Sequence, residues 1–197
     1  MTNAANDDWD RSLAARCREW IPDDEPPRDI EALREWLIRR LYERHAADMC
    51  RVIGRIVLDR ELAYDCLHDV FVDLPRRLMA FDGRGDIGHW LLKVSVRVAL
   101  DEVRRRRLGW LQRFWSVEDR RGPMLDAVAN ERRAAIEAAL SHEPVLDRAV
   151  LVLTSMEGMS YSDAGAALGL SVEAVRGRHK RVRNRLAARL GPSLEDL

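Results

Sequence analysis

At 197 residues, 47% of them hydrophobic and 34% charged, the chain can bury one or two small cores and falls well short of a large enzyme. Basic and acidic residues balance at 33 each, so net charge says nothing about partners, and only its distribution is informative. Three cysteines without C-x-x-C spacing, five scattered histidines, no Ser-His-Asp grouping and no glycine-rich phosphate loop argue against a disulfide framework, a metal site, a bound cofactor, a small-molecule substrate and an enzyme.

The chain opens MTNAANDDWDR, which lacks the basic start and apolar centre of a signal peptide, and no later run is apolar enough to span a bilayer. A cytoplasmic protein without membrane insertion is expected. The first 36 residues lean acidic through Asp7, Asp8, Asp10, Asp23, Asp24, Glu25, Asp29, Glu31 and Glu35, and IPDDEPPRDIE reads as a flexible lead-in. Residues 1–29 are therefore set apart as an acidic extension.

From Ile30 the apolar residues recur at helical intervals, at Leu33, Trp36, Leu37, Leu41 and Tyr42. A second helical pattern follows at Leu62, Ala63, Cys66, Leu67, Val70, Phe71 and Leu74, and the two faces are expected to pack together. On the outside of this second helix Asp65, Asp69 and Asp73 stand four apart, where like charges repel by a few tenths of a kcal/mol per pair, about 0.2–0.5. The stripe is either an ordinary solvated face or one that a basic partner covers. Pro75 predicts an end or kink, and Phe81 to Asp86, FDGRGD, predicts a turn before a long helix from Ile87. That helix passes from HWLLKVSVRVAL into DEVRRRR, placing Arg104 to Arg107 where they suit phosphates or the negative end of the helix dipole. Trp90 fits either the core or a stacking platform for unpaired bases.

Periodicity breaks over 108–130, around Gly122-Pro123, which marks a linker whose Trp110, Phe114 and Trp115 suit docking on a module or on a partner. Helical pattern returns near Glu131 with Ala135, Ile136, Ala139 and Leu140, stops at His142-Glu143-Pro144, and restarts with Leu146, Val150 and Leu153. Then comes YSDAGAALGLSVEAVRGRHKRVRNR, Tyr161 to Arg185. Ala164 and Leu168 share a face with Gly165, Gly169 supplies a left-handed stop, Leu170 fills the angle, Ser171 caps a second helix and Val175 turns inward. Arg176, Arg178, Lys180, Arg181, Arg183 and Arg185 are left for the outside with no acid among them, a one-sign face suited to a DNA groove. The expected architecture is all-α, with two small helical domains at 30–107 and 131–190, the linker between them and a tail at 191–197.

These segments together resemble the bacterial RNA polymerase sigma factors of the extracytoplasmic-function group, over about Trp36 to Leu190. AYDCLHDVFVDL, Ala63 to Leu74, is similar to the A-E-D-L-x-Q-E-x-F-x-x-L segment that docks on the β′ coiled coil. His68 stands where that family has glutamine, and Tyr64 where it has glutamate. The resemblance thus implies core polymerase contacts at Asp65, His68, Asp69 and Asp73. Phe81 to Arg107 resembles the segment that recognises and melts the −10 element. It implies DNA contacts at Gly83, Arg84, Gly85, Asp86, Trp90, Arg97, Asp101, Arg104 and Arg105, with Val96-Arg97 in place of the usual Arg-Asn pair. In that family the loop before the helix holds a flipped base, whose extrusion costs a few kcal/mol, about the strength of one or two stacking contacts. Leu146 to Leu186 is similar to region four, which reads the −35 element. It implies contacts from Ser171, Arg176, Gly177, Arg178, Lys180 and Arg181, with Arg176 and Arg181 as the base readers.

The function so implied is promoter selection and opening on behalf of core RNA polymerase, with the β and β′ subunits, promoter DNA in double- and single-stranded form, and an anti-sigma factor as partners. Two alternatives are a decoy that sequesters an anti-sigma factor and a stand-alone helix-turn-helix regulator. The intact arginines speak against the first. The acidic stripe and the Trp90 segment, which a lone regulator leaves without purpose, speak against the second.

Overall fold

The computed structural model describes residues 13–79 except 14 and 18, residues 81 and 85–110, and residues 138–190. Within them every regular element is helical and there is no strand.

Helix α1 (Ile30–Val57) starts where Asp29 accepts a hydrogen bond from Ala32 N at 2.9 Å, satisfying one of the open amides of the first turn. It buries Leu33, Leu37, Leu41, Met49, Val52, Ile53 and Ile56, a stripe with helical period. It stops at Leu58, whose φ of 59° is left-handed and whose N–H reaches Gly54 O at 2.8 Å. Asp59 then caps α2 (Arg60–Val72) through Leu62 N. This helix buries Leu62, Ala63, Cys66, Leu67 and Val70, as its periodicity requires. Pro75 falls in the first turn of a separate short helix, α3 (Leu74–Leu78), where its missing N–H costs nothing. Asp86 opens α4 (Ile87–Trp110) by accepting from His89 N at 2.8 Å. That helix packs on both α1 and α2 and continues to Trp110, three residues beyond the predicted end of the domain.

The acidic extension contributes more than its charge suggests. Leu13, Cys17, Trp20 and Ile21 are all buried in the same core, and the described residues from 13 to 20 are helical. Their spacing is that of one helix face, which the surrounding acids obscure in the sequence. Burial pushes the Cys17 thiol up to about 12 and, with nearby carboxylates, the Cys66 thiol to about 11, so neither is a ready nucleophile.

The second module runs from a helical end at 138–141 into α5 (Val145–Leu151), which continues as one π-turn over Val152–Met156 and closes with Glu157 N on Val152 O at 3.0 Å. Then follow α6 (Tyr161–Leu168) and α7 (Val172–Leu190). Ala139, Leu140, Leu151, Val182 and Leu186 form a small core of their own.

The two modules are also packed on each other. Ala149, Val150, Val152, Leu153, Met159, Ala164 and Ala167 belong to the same apolar cluster as the first module's core. Lys93 Nζ pairs with Asp163 at 2.9 Å, and the Arg97 guanidinium donates to Ala166 O and Ala167 O at 2.9 and 3.1 Å. Glu157, with its side chain largely buried, lies against Arg55 and Arg51 at 3.3 and 3.6 Å.

Candidate nucleic-acid interface

The helix-turn-helix is set by small residues. Ser160 caps α6 through Asp163 N, and Ala164, Gly165 and Ala167 form its inner face. Gly169, at φ 67° and ψ 37°, ends it, and the amides of Gly169 and Leu170 both turn back to Gly165 O. A Cβ on Gly165 would stand 2.7 Å from Leu170 O, a backbone atom that cannot swing away. Gly165→Ala is therefore expected to force the two helices apart and cost about 1–3 kcal/mol in chemical denaturation, the range for overpacking a closed core. Ser171 accepts from Ala174 N at 3.2 Å to start α7, and Val175 is fully buried against α6.

Helix α7 sorts its cations onto two faces. Arg176, Lys180, Arg181 and Arg183 are exposed. Arg178 and Arg185 instead turn toward α5, donating to Asp147 at 2.6 Å each, while Arg185 and Arg189 also hold Glu143 at 2.6 and 2.8 Å. Positions 178, 182, 185 and 189 run along the inward flank at intervals of three and four, so geometry and not composition decides which arginines are free. Arg178 and Arg185 thus differ from the outward placement that the local pattern suggests. Burial of Asp147 would raise its pKa, yet hydrogen bonds from Arg178 and Arg185, with their charges, more than offset this and hold the carboxyl below its ordinary value.

His179 is a brace that its isolated place in the sequence does not reveal. Its Nδ1 meets the Tyr161 hydroxyl at 2.7 Å and its Nε2 the Ser155 hydroxyl at 2.9 Å. Burial, then the charge of Arg183, lower its pKa. Tyr161 also lies beneath the Arg176 guanidinium, 6.0 Å from ring centroid to Cζ. Gly177 leaves room for the Arg181 guanidinium, which would lie 3.3 Å from a Cβ there.

In the first module, Asp65, His68 and Asp69 are exposed on the outer face of α2 beside Tyr64 and Val72, which are 52% and 66% exposed. Asp73 is not part of that open face. It sits at the junction of α2 and α3 and binds Arg76 and Arg77 at 2.7 and 2.8 Å, and the Arg76 hydrogen bond foremost lowers its pKa.

Of the expected −10 residues, Gly83 and Arg84 lie outside the described residues. Gly85 has a φ of 85°, Asp86 caps α4, and Trp90, half-buried, stacks on Phe81 with ring centroids 5.0 Å apart. Trp90 is thus anchored in the core on one side and reachable on another. Asp101 pairs with Arg104 at 3.2 Å on an exposed helix surface, where such a pair contributes about 0.3–0.5 kcal/mol, and Arg105, itself exposed, pairs with the largely buried Glu102 at 2.6 Å. A phosphate can displace a partner held as weakly as Asp101 holds Arg104. Arg97 is exposed, but its guanidinium is engaged by the α6 carbonyls.

Two family descriptions match this layout in order: Sigma-70 region 2 over residues 41–108 and Sigma-70 region 4 over residues 133–186. The chain is 30% identical over 155 residues to the ECF RNA polymerase sigma factor SigM of Mycobacterium tuberculosis, covering 77% of this chain and 76% of SigM. The chain belongs to the extracytoplasmic-function sigma factors. It is similarly 30% identical over 167 residues to the sigma factor CnrH of Cupriavidus metallidurans, 79% of this chain and 87% of CnrH. The solved structure of CnrH with the cytosolic domain of CnrY superposes with a TM-score of 0.60 at 25% identity, over 92% of this chain and 96% of that one. RpoE of Bartonella quintana, solved with the anti-sigma factor NepR, superposes with a TM-score of 0.64 at 18% identity over 79% of this chain and 97% of that one, a likeness of fold.

In sigma-factor terms, α6 and α7 form the helix-turn-helix of region 4, and the second half of α1 with α2, α3 and α4 forms region 2. Sigma factors are DNA-directing regulatory subunits of a polymerase. Among the described residues no helix is long and apolar enough to cross a membrane, and no three His, Cys, Asp or Glu side chains are grouped to hold a metal ion.

Proposed function

We propose that this sigma factor binds core RNA polymerase, carries it to promoters with −35 and −10 elements, and captures the strand exposed when the −10 DNA opens. The carrying observation is the division of α7: four exposed cations face outward while Arg178, Arg185 and Arg189 of its inner flank are paired with Asp147 and Glu143. A helix held in this way presents a rigid basic face to a major groove, with arginine able to read guanine bidentately for about 1–3 kcal/mol. Residues 131–190 take the −35 role, and 30–107 take core binding and −10 recognition. The open Asp65, His68 and Asp69 face, bordered by Tyr64 and Val72, offers charge and apolar surface together to a basic β′ segment. Asp73 supports this face by fixing its end. The chain works in the cytoplasm, where the polymerase is.

Reading two separate elements at once requires the two modules to part, because Arg97 is committed to the α6 carbonyls while they are packed together. Joined modules that each bind weakly still act together, since a tether raises the effective concentration of the second contact. RpoE is solved with an anti-sigma factor and CnrH with a domain of CnrY, and we extend an anti-sigma partner of this kind to the present chain.

Reconstituted transcription tests the reading: the purified chain with bacterial core polymerase on the promoter upstream of its own gene. Start-site-specific transcripts support it. Core binding without transcripts turns it into an anti-sigma decoy, and DNA binding without core binding into a stand-alone regulator. A paired substitution tests the division of α7. Arg176→Ala is expected to weaken binding to a −35 duplex about tenfold with an unchanged melting temperature, the scale of one base or phosphate contact. Arg178→Ala is expected to lower the melting temperature, because Asp147 loses a partner.

A further inference from the structure

The helical segment at 13–20 lies outside the span matched to sigma region 2, which begins at residue 41, and yet it touches the residues that frame the −10 turn. The Arg16 guanidinium donates to Phe81 O at 2.8 Å across 65 residues of sequence. Trp20 packs on the Phe81 ring with centroids 5.4 Å apart and planes inclined at 44°, and Phe81 packs on Trp90 at 5.0 Å and 39°. The three rings form one tilted stack running from the N-terminal segment to the first turn of α4. The far end of this stack is tied down. Arg44 of α1 donates to Asp23 at 2.9 Å and to Trp20 O at 3.4 Å, and Arg40 holds Asp24 at 2.5 Å.

The choice of tryptophan is not explained by filling space alone. Trp20 is 6% exposed, and its indole N–H finds no acceptor among the described residues, an uncompensated burial that phenylalanine or leucine would avoid. What the indole supplies is a wide rigid face for Phe81. Phe81 N is bonded to Leu78 O, so its backbone is held from both sides, by α3 and by Arg16. Capture of an extruded base demands such fixity, because the stacking surface must stand in place before the base arrives.

We propose that Trp20 and Arg16 are positioning residues for −10 strand capture, a strut from the N-terminal segment that fixes Phe81 and, through it, Trp90. The proposal rests on the sigma reading above. Their hydrogen bonds and ring contact run to Phe81 and to Arg44, so their loss should fall on one activity out of three.

The test uses the full chain assembled with core polymerase and measures three affinities: for core, for a −35 duplex, and for a fluorescent single strand carrying the −10 non-template sequence of the promoter upstream of its own gene. Trp20→Leu keeps the apolar bulk and removes the stack, Arg16→Ala removes only the hydrogen bond, and Trp20→Phe keeps a ring. The expected result is a fall of about five- to tenfold in −10 strand affinity for Trp20→Leu and Arg16→Ala, the scale of one aromatic or charged contact. Core and −35 affinities stay within about twofold, and Trp20→Phe, which keeps a narrower ring against Phe81, falls less than Trp20→Leu. If all three affinities fall together the segment serves only folding, and if none falls there is no strut; either result overturns the proposal. A wild-type holoenzyme that does not distinguish the −10 strand from a scrambled one overturns the sigma reading as well.

Discussion

Asp65→Arg combined with Asp69→Arg is expected to abolish start-site-specific transcripts, by weakening the affinity for core polymerase at least about a hundredfold. Both carboxylates are exposed on α2, and neither forms an ion pair among the described residues, so their charge is available to a partner. They stand four apart on the helix, where two like charges repel by a few tenths of a kcal/mol, about 0.2–0.5. Two arginines at the same positions repel as much, so the fold neither gains nor loses by the exchange. Against a basic docking segment the sign is decisive, because each attraction becomes a like-charge contact costing about 1–2 kcal/mol at a partly solvated rim. The melting temperature of the double variant should match the wild type while core binding, followed by fluorescence anisotropy of the labelled chain, is lost. Unchanged core affinity would remove the α2 face from the docking surface.

Asp147→Ala is expected to destabilise region 4 by about 2–3 kcal/mol in chemical denaturation and to carry −35 binding down with it. The Asp147 side chain is 6% exposed and receives both Arg178 and Arg185, so its removal strands two guanidinium groups at once. Removing one partner of a fully buried pair costs about 3–5 kcal/mol. The smaller figure applies here because those arginines are about one-third exposed and recover part of their hydration.

The same carboxylate sets a pH dependence. Its pKa is lowered in the folded chain, so the unfolded state takes up the proton first as pH falls. Its contribution is therefore fully present above the unfolded value of about 4 and is lost as pH drops below that toward the folded value. Denaturation of Asp147→Asn should show a flatter acid limb than the wild type, while the two curves run parallel near neutrality. An identical acid slope would show that the ion pairs at Asp147 do not govern acid unfolding.

Much of the fold follows from interactions that span four residues or fewer. Asp29 and Asp59 cap α1 and α2, Pro75 separates α2 from α3, Gly169 ends α6 and Ser171 starts α7, each at the position its own chemistry dictates. The period of the apolar residues likewise placed Leu33, Leu37 and Leu41 inside, and Val175 between the two helices of the turn. These local rules were enough to reach the all-α class; the sigma family was reached through the resemblance of three segments, Ala63 to Leu74, Phe81 to Arg107 and Leu146 to Leu186, to those of known sigma factors.

Tertiary structure decided which of the charged and aromatic side chains are free. Nothing near Arg178 in the chain discloses that Asp147, 31 positions earlier, is buried beside it, and nothing near Arg97 discloses the carbonyls of Ala166 and Ala167. Trp20, within a run that reads as solvated, becomes part of a ring stack only because Phe81 is brought to it. The reason is physical. Caps, turns and periodicity depend on neighbours fixed by covalent geometry, whereas the partner of a long side chain depends on which helices meet, and that is settled by burial of the whole apolar surface at once.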